Sequence, residues 1–325
     1  MSSAELVRDL ALELRAAALP LLGSHAARAH EVGGPGEGGD VTFAIDERVE
    51  ARLESFLAEH APDVAYYSED RGLVVPATAN VCDVLVVDPI DGTRPAAEGL
   101  ESCCVAVAAA PLSDDVAMGD VQIGCVVEIP SGAVFLAERG RGLLEGPPPQ
   151  LSRNERLDRM FWTFGFRGRP ARALTEVLAD LIDASSVGGG TFDLGSAAFD
   201  TTRVITGQLD AYVEPSPLLV EEVPGMRVEF ERVGGGSVLN NAPYDLAAAV
   251  LCATEVGATV TDARGRPLDE RPLLGSGAEF QMSVVVSANE RLHELILEQV
   301  AAGVDRLAAQ SGDTAVPRGG APPLV

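Results

Sequence analysis

A run of β-forming residues that ends in two carboxylates constrains this chain more than any other feature. Residues 81–87 read as a strand, and Val86-Val87-Asp88-Pro89-Ile90-Asp91-Gly92-Thr93 delivers Asp88 and Asp91 at its end. Pro89 and Gly92 force the chain to turn between and after them. Two hard oxygen donors on such a turn can face one point, which suits Mg²⁺ with its preference for carboxylate and water oxygens. Taken alone, the same residues also read as an Asx turn closing a strand.

Further acids stand at predicted element ends. Asp46 lies at the start of a helix expected over 42–60, Ser68-Glu69-Asp70 follows a strand over 64–67, and Asp245 opens a helix over 244–255. Each alone has an ordinary role, as a helix N-terminal charge or a loop acid. An amphipathic helix over 4–22 opens the chain, and strands over 103–110, 123–129 and 134–137 give a first half of two helices on an antiparallel or mixed sheet. Three consecutive prolines in 142–150 mark the change of halves, giving 1–146 and 147–310. The second half reads as strands at 161–164, 210–214, 258–261 and 282–287, with helices at 171–184, 195–206, 244–255 and from 288 onward. The Gly- and Pro-rich stretch 311–325 reads as a disordered tail.

Composition removes several function classes. The 325 residues carry 24 basic against 49 acidic side chains, a net charge of −25, and every basic residue is arginine. Without lysine there is no Schiff-base nucleophile and no Walker A loop. The acidity repels nucleic-acid polymers and anionic membranes, and no apolar run is long enough to span a bilayer. Five cysteines without a C-x-x-C pair read as reduced thiols, and the N-terminus lacks a signal-peptide pattern, so a cytoplasmic protein is expected.

Five motifs in order resemble the inositol monophosphatase family of metal-dependent, lithium-sensitive phosphatases. The family's D-P-(I/L)-D-G-T signature stands as Asp88 to Thr93. Its Gly-Asp-x-Val-Thr-x-x-Asp element is similar to Gly39-Asp40-Val41-Thr42-Phe43-Ala44-Ile45-Asp46, and its G-E-E motif to Ser68-Glu69-Asp70. Gly195-Ser196-Ala197-Ala198 with the segment ending at Glu214, and Tyr244-Asp245-Leu246-Ala247-Ala248, resemble the second-half motifs. The resemblance implies an α+β fold, a layered αβαβα sandwich of the inositol monophosphatase / fructose-1,6-bisphosphatase type, and a phosphoric monoester hydrolase. It implies that Glu69, Asp88, the Ile90 carbonyl, Asp91 and Asp245 hold two or three Mg²⁺ ions. Asp46, Thr93 and Glu69 would act on the attacking water. Gly92, Thr93, Arg94, Gly195, Ser196, Ala197 and Glu214 would contact a small phosphorylated substrate, and a homodimer is expected.

Departures qualify the substrate. Ser68 and Asp70 replace Gly and Glu, Arg94-Pro95-Ala96-Ala97-Glu98 replaces the usual continuation, and residues 215–242 form an insertion between Glu214 and Asp245. In it, 226–233 alternates as a half-buried hairpin strand would, with 234–236 as the turn. Glu214 favours a polyol or sugar, while Arg94, Arg167 and Arg169 are candidates for a second anionic group. Inositol phosphate, sugar phosphate, fructose 1,6-bisphosphate, histidinol phosphate and nucleotide 3′-phosphate substrates all fit the superfamily. The alternative from another class is a catalytically idle, metal-binding regulatory protein.

Overall fold

In the computed structural model, residues 2–24, 30–35, 41–77 and 81–313 are described. Helix α1 (Ser3–Ala18) starts at a capping box in which Ser2 and Glu5 bond each other's backbone N–H. Strands β1 (His30–Pro35) and β2 (Val41–Phe43) pair, and α2 (Ala44–His60) follows at once. Gly39 and Asp40 of the second motif lie outside the described residues.

Strands β3 (Ala65–Ser68), β4 (Gly72–Val74), β5 (Asp83–Asp91), β6 (Cys104–Pro111), β7 (Ile123–Glu128), β8 (Val134–Glu138) and β9 (Gly142–Glu145) form one sheet in the order β4-β3-β5-β6-β7-β8-β9. Only β3 and β5 in this sheet run parallel. The short helix α3 (Thr93–Glu98) sits between β5 and β6. The second sheet takes β10 (Phe161–Thr163), β11 (Gly190–Phe192), β12 (Ala211–Glu214), β13 (Thr259–Thr261) and β14 (Val284–Ser287), ordered β11-β10-β12-β14-β13, with β10 parallel to both β11 and β12. Its helices are α4 (Ala171–Ser185), α5 (Ala197–Ile205), α6 (Ser216–Glu222), α7 (Met226–Val233), α8 (Pro243–Glu255) and α9 (Glu290–Asp313).

Alternation along the strands stacks these elements into five layers. Side chains on successive strand residues point to opposite faces. Leu85 and Val87 therefore pack with Leu10, Leu14, Val49 and Leu53 of α1 and α2. Val84 and Val86 face the other way, joining Ala198, Val204, Leu246 and Cys252 of α5 and α8. That helical layer meets Tyr212, Val284 and Val286 of the second sheet, whose opposite face packs Trp162, Val213 and Val285 against Leu174, Leu178, Leu292 and Ile296 of α4 and α9. The order is α-β-α-β-α, as expected for this fold class.

The insertion differs from the expected hairpin. Residues 216–233 form α6 and α7 rather than strands. Phe230 is fully buried in the core beneath α4 and α9, whereas Val228, its supposed partner on one strand face, is 64% exposed. Glu229 pairs with Arg232 one helical turn on, and Gly225 in a left-handed conformation precedes the helix. At the other end of the chain, α9 runs to Asp313, so 311–313 are helical where a tail was expected, and 314–325 lie outside the described residues. No helix among the described residues is long and apolar enough to cross a membrane.

The middle layer sits close to the first sheet. A Cβ on Gly124 of β7 would lie 2.6 Å from the Ala248 carbonyl oxygen of α8. Gly124→Val is expected to cost about 1–3 kcal/mol through forced separation of these elements; a denaturant midpoint equal to wild type would contradict this packing.

Candidate active site

The parallel strands of each sheet point their C-terminal ends into one cavity of about 550 Å³, the place where sheets of this kind commonly bind ligands. In the first sheet, Ser68 of β3 is in register with Val87 of β5, so the next residues, Glu69 and Asp88, emerge side by side. In the second, Thr163 of β10 is in register with Tyr212 of β12, which brings the loop after β10 beside Glu214. The middle layer closes the space with the start of α5 and the start of α8.

Strand β5 continues through both carboxylates, with an irregularity in its pairing to β6 between Asp88 and Asp91. That irregularity turns both side chains toward Asp245 in the first turn of α8, and ligand oxygens of all three lie within 4.8 Å of one another. Asp88 accepts a hydrogen bond from the Ile90 N–H at 3.0 Å. Asp91 accepts from the Ser196 hydroxyl at 2.8 Å and from the Ala198 N–H. Asp245 accepts from the Ala242 N–H at 2.6 Å. Thr93 donates its hydroxyl to the Ile90 carbonyl at 3.1 Å. Gly92 adopts φ +89°, and a Cβ there would meet the Ser102 carbonyl at 2.6 Å and the Ser196 Cβ at 2.9 Å. Glycine at this position therefore lets the two halves touch where Ser196 reaches Asp91.

Burial and mutual repulsion act on these acids. Asp88 is pushed well above the usual carboxylate range by burial, then by the charges of Glu69, Asp91 and Asp245. Burial raises Asp91 to about 6 against the opposing hydrogen bonds of Ala198 and Ser196. Burial, with Asp91 nearby, raises Asp245 to about 7. Such a cluster of oxygen donors, too crowded to carry its full negative charge alone, fits a hard divalent cation.

Of the residues expected from sequence, Glu69, Gly92, Thr93 and Arg94 line the cavity with Asp88, Ile90, Asp91 and Asp245. Gly195, Ser196, Ala197 and Glu214 line it as well. Asp46 is half-buried in the first turn of α2 and is not among the described residues of the cavity wall. Arg167 and Arg169 both reach the wall, but differently: Arg167 is exposed and Arg169 buried. Sequence reasoning missed Asp193, Asp200, Tyr212 and Asn241, which also line the cavity. For Asp200 a signal existed, because it falls one turn after Ser196 on the predicted helix and so shares the face of the helix start.

A model of the inositol monophosphatase family matches residues 3–304, and the chain belongs to that family. An inositol-1-monophosphatase from Synechocystis sp. is 26% identical over 220 residues, covering 67% of this chain and 74% of that protein. A fructose-1,6-bisphosphatase/inositol-1-monophosphatase from Methanothermobacter thermautotrophicus is 26% identical over 298 residues, covering 89% of this chain and 93% of its own length. The fold is shared with the crystal structure of extragenic suppressor protein suhB from Bartonella henselae, at TM-score 0.67 and 18% identity over 92% of this chain and 98% of that one.

The raised carboxylates set a pH dependence. A carboxyl whose folded pKa exceeds its unfolded value stabilises the protein fully below the unfolded pKa, and that contribution is lost as pH rises through the folded one. For Asp245 the window runs from the ordinary aspartate value of 3.8 to about 7. In chelator-treated protein, the melting temperature of wild type should fall relative to Asp245→Asn between pH 5 and pH 8, a comparison that cancels the titrating groups outside the cluster and reads Asp245 together with the neighbours its charge raises. A constant difference across that range would mean that Asp245 carries no such repulsion.

Proposed function

We propose that this protein is a Mg²⁺-dependent phosphatase that hydrolyses a small phosphate monoester, an inositol or sugar phosphate, by in-line attack of water. The observation that carries the reading is the convergence of Asp88, Asp91 and Asp245 within 4.8 Å on the wall of a cavity large enough for such a substrate. Glu69, Asp88, the Ile90 carbonyl, Asp91 and Asp245 are assigned as the residues that hold two or three ions. Cations held there would supply the charge that offsets the acids and phosphoryl oxygens and would lower the pKa of a bound water.

The chain's own residues do the rest. Thr93 donates its hydroxyl hydrogen to the carbonyl of Ile90 and lines the cavity, so its oxygen is free to accept a hydrogen bond from the attacking water and orient it. Asp46 keeps the companion role that the family resemblance implies for it. Ser196 caps α5 by accepting from the Phe199 N–H at 3.2 Å, and the same hydroxyl holds Asp91 at the angle the site needs. The start of α5 thereby fixes a ligand and presents its positive end to a phosphate. Five free thiols among the described residues agree with a reducing, cytoplasmic setting.

Hydrolysis of 4-nitrophenyl phosphate with and without Mg²⁺ tests the reading. Asp91→Asn is expected to lower turnover by about a thousandfold or more with the fold intact, since one anionic ligand is lost while the amide oxygen can still accept from Ser196 and Ala198. Thr93→Ala should lower kcat by about a hundredfold and leave cation affinity largely in place. Mg²⁺-independent turnover, or near-normal turnover in Asp91→Asn, would sink the proposed site.

A further inference from the structure

Two arginines stand on the turn that leaves β10, and the fold uses them differently. Arg169, 6% exposed, is committed to the wall: its Nη2 lies 2.8 Å from Oε2 of the buried Glu214 and 3.3 Å from Asn241 Oδ1. Its Nη1 donates to the Arg167 carbonyl at 2.7 Å, and its backbone N–H donates to the Phe166 carbonyl at 3.0 Å. Phe166 is held in turn, its N–H reaching Asp193 Oδ2 at 3.3 Å. Gly168 completes the turn at φ +68°, where a Cβ would stand 2.7 Å from the Leu239 Cβ at the end of the insertion. Residues 166–169 are therefore fixed from β12, from the loop before α5 and from the insertion.

That scaffold presents Arg167 to the cavity. The residue lines the same space as Asp91 and Asp245 and is exposed where Arg169 is buried. Its positive charge acts on both of those acids, and at Asp245 Arg169 adds to it. Attraction between charges weakens with distance and with intervening water, so a guanidinium felt by both carboxylates stands close to them. A divalent cation entering the cluster meets a positive charge already there, which lowers its affinity. A phosphate monoester brought to the cluster offers oxygens that a planar guanidinium matches with paired N–H donors.

We propose that Arg167 is a catalytic residue of this enzyme: the 166–169 turn holds its guanidinium against the phosphoryl group being transferred, where it stabilises the charge on the oxygens in the transition state. It forms no covalent bond and gives up no proton. The inference rests on the phosphatase reading of the acidic cluster. It gives Arg167 the transferred phosphate in place of the second anionic group open to it from sequence. The buried Arg169–Glu214 pair and the end of the insertion then aim it.

A substrate with a single phosphate separates these roles. kcat and KM for 4-nitrophenyl phosphate at saturating Mg²⁺, and the Mn²⁺ affinity of the chelator-treated protein by calorimetry, are measured for wild type, Arg167→Gln and Arg167→Lys. Arg167→Gln should lower kcat by about a hundredfold with KM little changed, and should bind Mn²⁺ about threefold or more tightly than wild type. Arg167→Lys keeps the charge but not the paired donors, so it should bind Mn²⁺ as wild type does and lose about tenfold in kcat. A kcat for Arg167→Gln within about threefold of wild type overturns the proposal, because an arginine serving a second anion would leave this substrate untouched. A fall in both kcat and Mn²⁺ affinity also overturns it, because the arginine would then be bracing the cluster. Where Arg167→Gln does not fold, Arg167→Lys decides, and a wild-type kcat there overturns the proposal. Absence of turnover in wild type instead overturns the phosphatase reading itself.

Discussion

Like charges do not gather in a low-dielectric site without something to oppose them. Asp88, Asp91 and Asp245 come within 4.8 Å of one another at buried or half-buried positions, with Glu69 close enough to raise Asp88 further. The protein meets part of this cost with backbone N–H groups and one hydroxyl aimed at the carboxylates. Those donors, together with the opposing charge of Arg167 in the same cavity, leave Asp91 and Asp245 still raised, to about 6 and about 7, so the crowded oxygens fit a further positive charge.

The layered fold follows from holding these groups together. No single element could carry four acids to one point, because strand side chains alternate and helix positions rotate away. Parallel pairing of β3 with β5 puts Glu69 beside Asp88, and the middle layer brings Asp245 and Ser196 from α8 and α5 against the same strand end. The close approach at Gly92 and at Gly124 is what lets that middle layer sit near enough. One helical layer thus serves both as the shared core of two sheets and as the carrier of two site residues.

Much of this was legible in the sequence. Asp88 to Thr93 announced itself as two acids closing a run of β-formers, but the sequence pointed to a turn at Pro89, whereas the strand runs through both acids and the irregularity in its pairing with β6 between Asp88 and Asp91 brings them to one side. The buried helices were equally readable from their spacing. The insertion was not, because eight residues with Val228 and Phe230 two apart satisfy a strand period while Glu229 and Arg232 satisfy a helical one. Only packing of Phe230 into the core under α4 and α9 settles it. The Arg169–Glu214 pair was invisible for a different reason: its partners are 45 residues apart in sequence, and only the parallel register of β10 with β12 brings them together. Local pattern reveals groups that act where they stand; it does not reveal which of them the fold has cancelled.

If the acidic cluster is a divalent-cation site, filling it must expel protons, because ions compete with the protons that burial has forced onto Asp91 and Asp245. Titration of the chelator-treated protein with Mn²⁺ at pH 6.5, by calorimetry in two buffers of different ionisation enthalpy, measures both affinity and protons released. The account predicts saturable binding with net proton release that diminishes in Asp245→Asn. Binding without proton release, or no saturable binding, would contradict it.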